Sequence, residues 1–278
     1  MFDQRTLLIV TKHQKEKIIT PLFKKAFNIT CKVSSDFDTD LLGTFTGEIE
    51  RTDNPYSTLR NKCLQGMKAE NSDLAVASEG SFGPHPQLYF APADHEIAIF
   101  IDLKNNIEIA ASETSMKTNF NGRLVKSFND LLSFAEECNF PSHAIILRKD
   151  QQCKAPIFKG ITTIESLNKA YEFLIQKYNS VFAETDMRAM YNPSRMLVIE
   201  KVFKNLIKKI KSCCPQCKTI GFDIMEVKKG LPCMNCGFKT KSVLAYNYQC
   251  KKCNYLEERR HPNGIFFEDP MYCDICNP

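Results

Sequence analysis

The amino-acid sequence predicts an α/β protein: a layered domain with a mixed sheet, followed by a small module held by cysteine pairs. Three observations lead there. From residue 6 to about 200, short apolar runs alternate with stretches whose apolar residues recur every three or four positions, the pattern of strands alternating with helices. A last helical stretch then runs from about Ser194 to about Lys211. Beyond it, eight cysteines fall into four C-x-x-C pairs. The expected domains are therefore residues 1–205 and 212–278.

Taken in order, Thr6–Val10 (TLLIV) reads as a first strand and Thr11–Lys17 as a polar connection. The next helix carries Ile18, Ile19, Leu22, Phe23 and Phe27 on one face, with Pro21 tolerated only near its start. Ile29–Val33 is a second strand. Residues 36–55 are polar, with Gly43, Gly47, Asp53 and Asn54, and suit a flap rather than an element. Tyr56–Ala69 returns to helical spacing through Leu59, Cys63, Leu64 and Met67. It leads into Leu74–Ala77, a short buried strand. That strand is expected to break at Ser78–Pro86, where two glycines and two prolines argue against a regular element. The break places Glu79 at the carboxyl edge of the sheet, where open α/β sheets bind ligands. Ser78, Gly80 and Ser81 then offer hydroxyl and backbone N–H groups around it.

Glu96–Leu103 and Ile107–Ala111 flank Lys104-Asn105-Asn106, a hairpin signal. Ser127 is placed to cap a helix reaching Cys138. Ala144–Leu147 and Ile157–Ile161 are strands, and Thr163 and Ser166 open a helix to about Tyr178. Ser180–Ala183 is a final strand leading to Asp186 and Arg188. Lys204–Lys211 is the wet face of the last helix.

Composition narrows the classes. Of 278 residues, 25% are charged and 43% apolar, ordinary for a soluble globular chain. No apolar run approaches the roughly 20 residues of a membrane helix, and the N-terminal run passes straight into lysines, so neither a membrane span nor a signal peptide is expected. Of thirteen cysteines, nine crowd into Cys213–Cys276, which reads as metal ligation in a reducing cytoplasm rather than disulfides. Residues 201–278 hold 14 Lys+Arg against 7 Asp+Glu, a net +7. Eight thiolates on two Zn²⁺ ions would reduce that to about +3, which weakens the case for a basic nucleic-acid tail without removing it.

The knuckles Cys214/Cys217, Cys233/Cys236, Cys250/Cys253 and Cys273/Cys276 are separated by 15, 13 and 19 residues, within zinc-ribbon range. Each supplies two soft ligands from one tight turn, with Gly237 suited to that turn. Two all-thiolate zinc sites leave no position for water and are therefore structural. Sequential pairing, first knuckle with second and third with fourth, is the expectation, with interleaved pairing as the alternative. Cys213 is a bystander, and Cys31, Cys63, Cys138 and Cys153 are assigned to the core.

In the first domain, a polar loop opening a helix offers N–H groups and a positive dipole to an anion. Thr11 and His13 add hydrogen bonds there, and Lys12 and Lys15 add charge. With the acidic flap (Glu48, Glu50, Asp53) and Glu79, this is the set a Mg²⁺-dependent phosphate hydrolase uses. Asp186, Arg188 and Arg195 are placed to close the pocket opposite Lys15, since arginines fork onto phosphate oxygens. His85 and His95 are candidate acid/base groups.

The order T-K-H-Q-K, acidic loop, Asn61-Lys62-Cys63, then A-S-E-G-S-F-G resembles the inosine/xanthosine triphosphatase superfamily of house-cleaning nucleotide pyrophosphatases. The resemblance covers roughly the first 90 residues. It implies phosphate contacts from Thr11, His13 and Lys15, a metal ligand at Glu50 or Glu48, and metal binding or water activation by Glu79. His13 stands where that family has Asn, and Lys15 comes one place early. Across the whole chain, ASEGSFGPHP, FKGIT, ETDMRAMYNPSRM and the terminal C-x-x-C-N-P resemble a bacterial family known only as a domain of unknown function.

The expected function is Mg²⁺-dependent hydrolysis of a non-standard nucleotide or similar phosphorylated molecule, with a structural zinc-ribbon tail. The alternative is a non-enzymatic protein whose ribbons bind nucleic acid or protein, its α/β domain only sensing a nucleotide. A purely structural module would leave the polar stretch Ser78–Pro86 unexplained.

Overall fold

A computed structural model describes residues 2, 4–34, 55–152 and 155–278. The chain forms two compact units, Met1–Ile207 and Lys208–Pro278. Glu48, Glu50, Asp53 and Cys153 lie outside the described residues.

The first unit contains a five-stranded mixed sheet made of β1 (Thr6–Val10), β2 (Thr30–Val33), β3 (Leu74–Pro84), β4 (Pro92–Asp102) and β5 (Ile107–Ser115), in the order β2-β1-β3-β4-β5. β1 runs parallel to β2 and β3, whereas β3, β4 and β5 form an antiparallel meander. The continuous run Leu7–Val10 is fully buried, as a strand covered on both faces requires. Helix α1 (Glu16–Phe27) buries Ile19 and Phe23, and α2 (Pro55–Ala69) lays Leu59, Cys63 and Met67 against Leu8, Val10, Ala75 and Ala77. Arg5 pins the start of β1 to the end of β4, donating to both Asp102 carboxylate oxygens at 2.8 Å.

The central strand does not break at Ser78. β3 runs through Pro84 and pairs residue by residue with β4, from Leu74 opposite Asp102 to Pro84 opposite Pro92. Gly80 and Gly83 are not in the left-handed region, and the prolines sit at the strand ends, where a missing N–H costs little. Gly80 marks a close approach rather than a turn. A Cβ there would collide with Glu96 Oε1 and come within 2.6 Å of Arg195 Nη2. The parallel partner β1 reaches only to Val10 opposite Ala77, so Ser78 and Glu79 still lie just past its carboxyl end.

A single mixed sheet is also not what forms. Strands β6 (Gly122–Val125), β7 (Ile145–Arg148), β8 (Ile157–Ile161) and β9 (Val181–Thr185) make a separate antiparallel sheet in the order β6-β9-β7-β8. Helices α3 (Phe128–Glu137) and α4 (Ile164–Tyr178) cover it and give it its own core, including Leu131, Phe134, Leu147, Leu167 and Leu174. Ser127 and Thr163 cap these helices by accepting from Asp130 N and Ser166 N. The four-residue β6 carries too little pattern to be read from sequence. Helix α5 (Pro193–Lys211) follows.

In the second unit, β10 (Asp223–Lys229), β11 (Val243–Gln249) and β12 (Leu256–Arg260) form an antiparallel sheet with β11 in the middle. Of the remaining cysteines, Cys63 and Cys138 are buried, Cys31 is only half-buried on the short strand β2, and Cys213 is exposed.

Candidate functional site

The carboxyl end of β1 leads into a loop whose His13 and Gln14 both adopt left-handed conformations, φ 62° and 63°. Two such residues in a row curl the chain tightly before α1, and Lys15, at the helix start, is turned inward. Its Nζ is buried, donates to Ser78 Oγ at 3.0 Å and lies 3.9 Å from Glu96 Oε2. Burial is the main influence on this amine and lowers it to about 8. Lys15 therefore faces the sheet, not a surface phosphate turn. Thr11 is buried, its Oγ1 donating to Lys12 O, while Lys12 and His13 are partly exposed.

Around Lys15 the sheet gathers charge. Glu96 lies opposite Gly80 on β4, and Arg195, in the first turn of α5, donates to it from Nε at 2.6 Å, with both side chains fully buried. Arg195 also donates from Nη1 to Met187 O at 2.5 Å, and its guanidinium lies 5.1 Å from the Phe82 ring centroid. Asn192 fixes this position by accepting the Arg195 backbone N–H at 2.9 Å, just ahead of Pro193 in the first helical turn. Two residues before Glu96 on the same face, Asp94 is almost fully buried, and its Oδ1 has no hydrogen-bond partner among the described residues. Burial first, and then the neighbouring Glu96, push its carboxyl up to about 7. On the opposite face of β3, Glu79 accepts from Lys62 of α2 at 3.2 Å, both side chains 9% exposed.

Lys15, Ser78, Glu79, Gly80 and Arg195 of the sequence-predicted set are thus placed about one stretch of β3, and Ser81 lies half-buried beside them, opposite His95. His85 lies at the hairpin tip, where its Nδ1 accepts from Gln87 N and Leu88 N. His95 meets Thr114 Oγ1 at 2.7 Å on an exposed face. Asp186 is buried in a knot of its own. It accepts Gly160 N at 3.0 Å and Arg188 Nη2 at 2.6 Å, while Arg188 covers Tyr191. Between them, Met187 gives the Arg195 site a carbonyl rather than a charge. Lys62, Asp94, Glu96 and Asn192 were missed by sequence reading. Lys62 entered only as part of the motif Asn61-Lys62-Cys63, Glu96 only as the first residue of a strand, and Asp94 lies outside that strand's expected bounds. Their one signal was two acids at strand period ahead of the apolar run Ile97–Ile101.

In the second unit, two groups of four cysteines can each hold a metal ion: Cys214, Cys217, Cys250 and Cys253, and Cys233, Cys236, Cys273 and Cys276. The pairing is interleaved, first knuckle with third and second with fourth, not sequential. The antiparallel sheet decides this. The start of β10 lies opposite the end of β11, Asp223 against Gln249, so the knuckles preceding β10 and following β11 meet at one end. The second knuckle falls at the other end, where Cys233 bridges to Glu268 and brings the tail back. Lys218, Gly237 and Asn254, each following the second cysteine of a knuckle, take left-handed conformations of 60°, 70° and 58° that close the turns.

A family model for a domain of unknown function (DUF6671) matches residues 62–278. The chain belongs to this family. The match spans Lys62, Glu79, Asp94, Glu96, Arg195 and all eight knuckle cysteines, so both sites described above fall almost wholly within the family domain. No curated protein matches the chain, and the likeness of the first 90 residues to house-cleaning pyrophosphatases finds no support in these comparisons. No helix among the described residues is long and apolar enough to cross a membrane.

Proposed function

We propose that the α/β unit is a Mg²⁺-dependent hydrolase acting on a phosphorylated small molecule, and that the second unit is a zinc-ribbon module with two structural Zn²⁺ ions. The observation that carries the first part is the buried charge cluster at the carboxyl end of β1: Lys15, Lys62 and Arg195 with Glu79, Asp94 and Glu96. Burying so many ionisable groups costs stability relative to an apolar core, and perturbed buried groups concentrate at functional sites. The cations suit phosphate oxygens. Asp94 Oδ1 and Glu96 Oε2, buried and without hydrogen bonds among the described residues, suit Mg²⁺, which takes few protein carboxylates beside phosphate and water. Bound there, Mg²⁺ would neutralise phosphate charge. In the metal-free protein Asp94 is held near neutral, and a bound Mg²⁺ would keep it ionised as a ligand. Glu79 orders Lys62.

Zinc is supported by the sulfur spacing. Sγ–Sγ distances of 3.7 Å for Cys214–Cys253, 3.6 Å for Cys217–Cys250, 3.9 Å for Cys233–Cys276 and 3.6 Å for Cys236–Cys273 match the roughly 3.8 Å between ligands of a tetrahedral Zn²⁺ with Zn–S of about 2.3 Å.

The test is phosphate and pyrophosphate release from a panel of sugar phosphates and nucleotides, with and without Mg²⁺, by wild type, Glu79→Gln and Glu96→Gln. Release that requires Mg²⁺ and falls at least 100-fold in a folded Glu96→Gln variant is expected. Silence across the panel from a folded, zinc-replete protein defeats the hydrolase reading. A second reading is favoured by the near-complete burial of that cluster and by the exposed rings Phe266, Phe267 and Tyr272 on the cysteine unit. In it, the ribbons bind nucleic acid or protein and the α/β unit only senses a ligand. Salt-sensitive binding of single-stranded RNA or DNA, lost when tail lysines are neutralised, would favour that reading.

A further inference from the structure

We infer that the cleft at the tip of the β3–β4 hairpin holds a nucleobase, so that the phosphorylated ligand is a nucleotide. The inference rests on the phosphate-ligand reading above and names its substrate class. A cavity of about 420 Å³ lies between the hairpin tip and the edge of the second sheet, within the size range of small-molecule sites. Its walls include Tyr89, Phe90, Phe120 and Phe182, together with the amides of Asn121 and Gln151. Tyr89 and Phe90 are 78% and 88% exposed. Aromatic rings left in water beside a cavity mark a binding surface. Flat rings paired with amide donors and acceptors suit a ligand with π faces and a hydrogen-bonding edge, which describes a nucleobase.

Charge orients the ligand. Among the described residues of the lining, the only charged one is the carboxylate Glu184, whose oxygens accept from Arg148 Nη2 at 2.5 Å. With Glu184 already paired to Arg148, the described lining presents no cation to a phosphate. The cationic end lies beyond Phe82, whose ring is 5.7 Å from Phe120 at the cleft and 5.1 Å from the Arg195 guanidinium. An uncharged ring in the cleft and phosphate toward Arg195 and Lys15 is the arrangement that satisfies both ends.

Isothermal titration calorimetry of the full-length, zinc-loaded chain with adenosine, guanosine, inosine, cytidine and uridine isolates the cleft, because these probes carry no phosphate. Ribose 5-phosphate probes the other end. At least one nucleoside is expected to bind saturably, about tenfold more weakly in Phe120→Ala and in Phe90→Ser, with ribose 5-phosphate affinity unchanged. Phe90→Ser, at an exposed position, keeps the test valid if Phe120→Ala misfolds. Absence of nucleoside binding up to millimolar concentration, or equal binding by wild type and both variants, overturns the inference. If ribose 5-phosphate still binds in that case, the phosphate reading survives alone. If neither class of probe binds, both fail.

Discussion

Gly80 shows how one residue can be decided by what stands opposite it. Its hydrogen occupies the space that lets Arg195 reach Glu96 across the strand, and a methyl there would meet both charged groups. Gly80→Ala is therefore expected to cost about 1–3 kcal/mol through overpacking, roughly 3–10 °C in Tm for a unit of this size. Gly83, three residues on, has open space around a Cβ, and Gly83→Ala is expected to stay within about 0.5 kcal/mol. Equal effects in thermal melts would refute this account of the strand. Asp94 makes a separate prediction about pH. Its folded value of about 7 lies above the ordinary carboxylate value near 3.8. Its contribution to stability is thus complete below the unfolded value and is lost as pH rises through about 7. Asparagine does not titrate, so Asp94→Asn should gain stability relative to wild type between about pH 4 and pH 8 in Mg²⁺-free buffer, by a few kcal/mol at most. A Tm difference that stays flat across that range would show that Asp94 is not held near neutral.

Among elements, β3 and the cysteine knuckles carry the main lessons. β3 persists beyond Ala77 because β4 offers an unbroken partner along its whole length, which outweighs the local preferences of two glycines and a terminal proline. The knuckles pair by strand direction rather than by order along the chain, and zinc stoichiometry can read this out. Wild type is expected to carry two zinc ions per chain. Cys214→Ser with Cys253→Ser should retain one ion, because both residues serve the same site, and Cys214→Ser with Cys236→Ser should lose both. Sequential pairing requires the reverse result, so inductively coupled plasma mass spectrometry on the two double variants separates the topologies. The helix starts were legible for a simpler reason. Ser127 and Thr163 act on backbone N–H groups three residues away, and such local bonds need nothing from the rest of the fold.

For the molecule as a whole, the sequence by itself determined the α/β character of residues 6–200, the core faces of the main helices, and the cysteine module with the eight cysteines that can hold metal. Each of these rests on short-range information: apolar period, capping side chains, and two thiolates three positions apart. Ser78 and Glu79 were singled out as polar residues at the end of an apolar run, and Lys15 and Arg195 as cations at helix starts. Tertiary structure alone decided that there are two sheets rather than one, that β3 continues, that knuckles interleave, and that Asp94, Glu96 and Lys62 enter the charged cluster. It also turned Lys15 inward and tied Asp186 to Arg188. These outcomes depend on which strand lies beside which, and on the direction in which each runs. A buried charge is intelligible only from its partner across the sheet, and Glu96 and Arg195 are 99 residues apart.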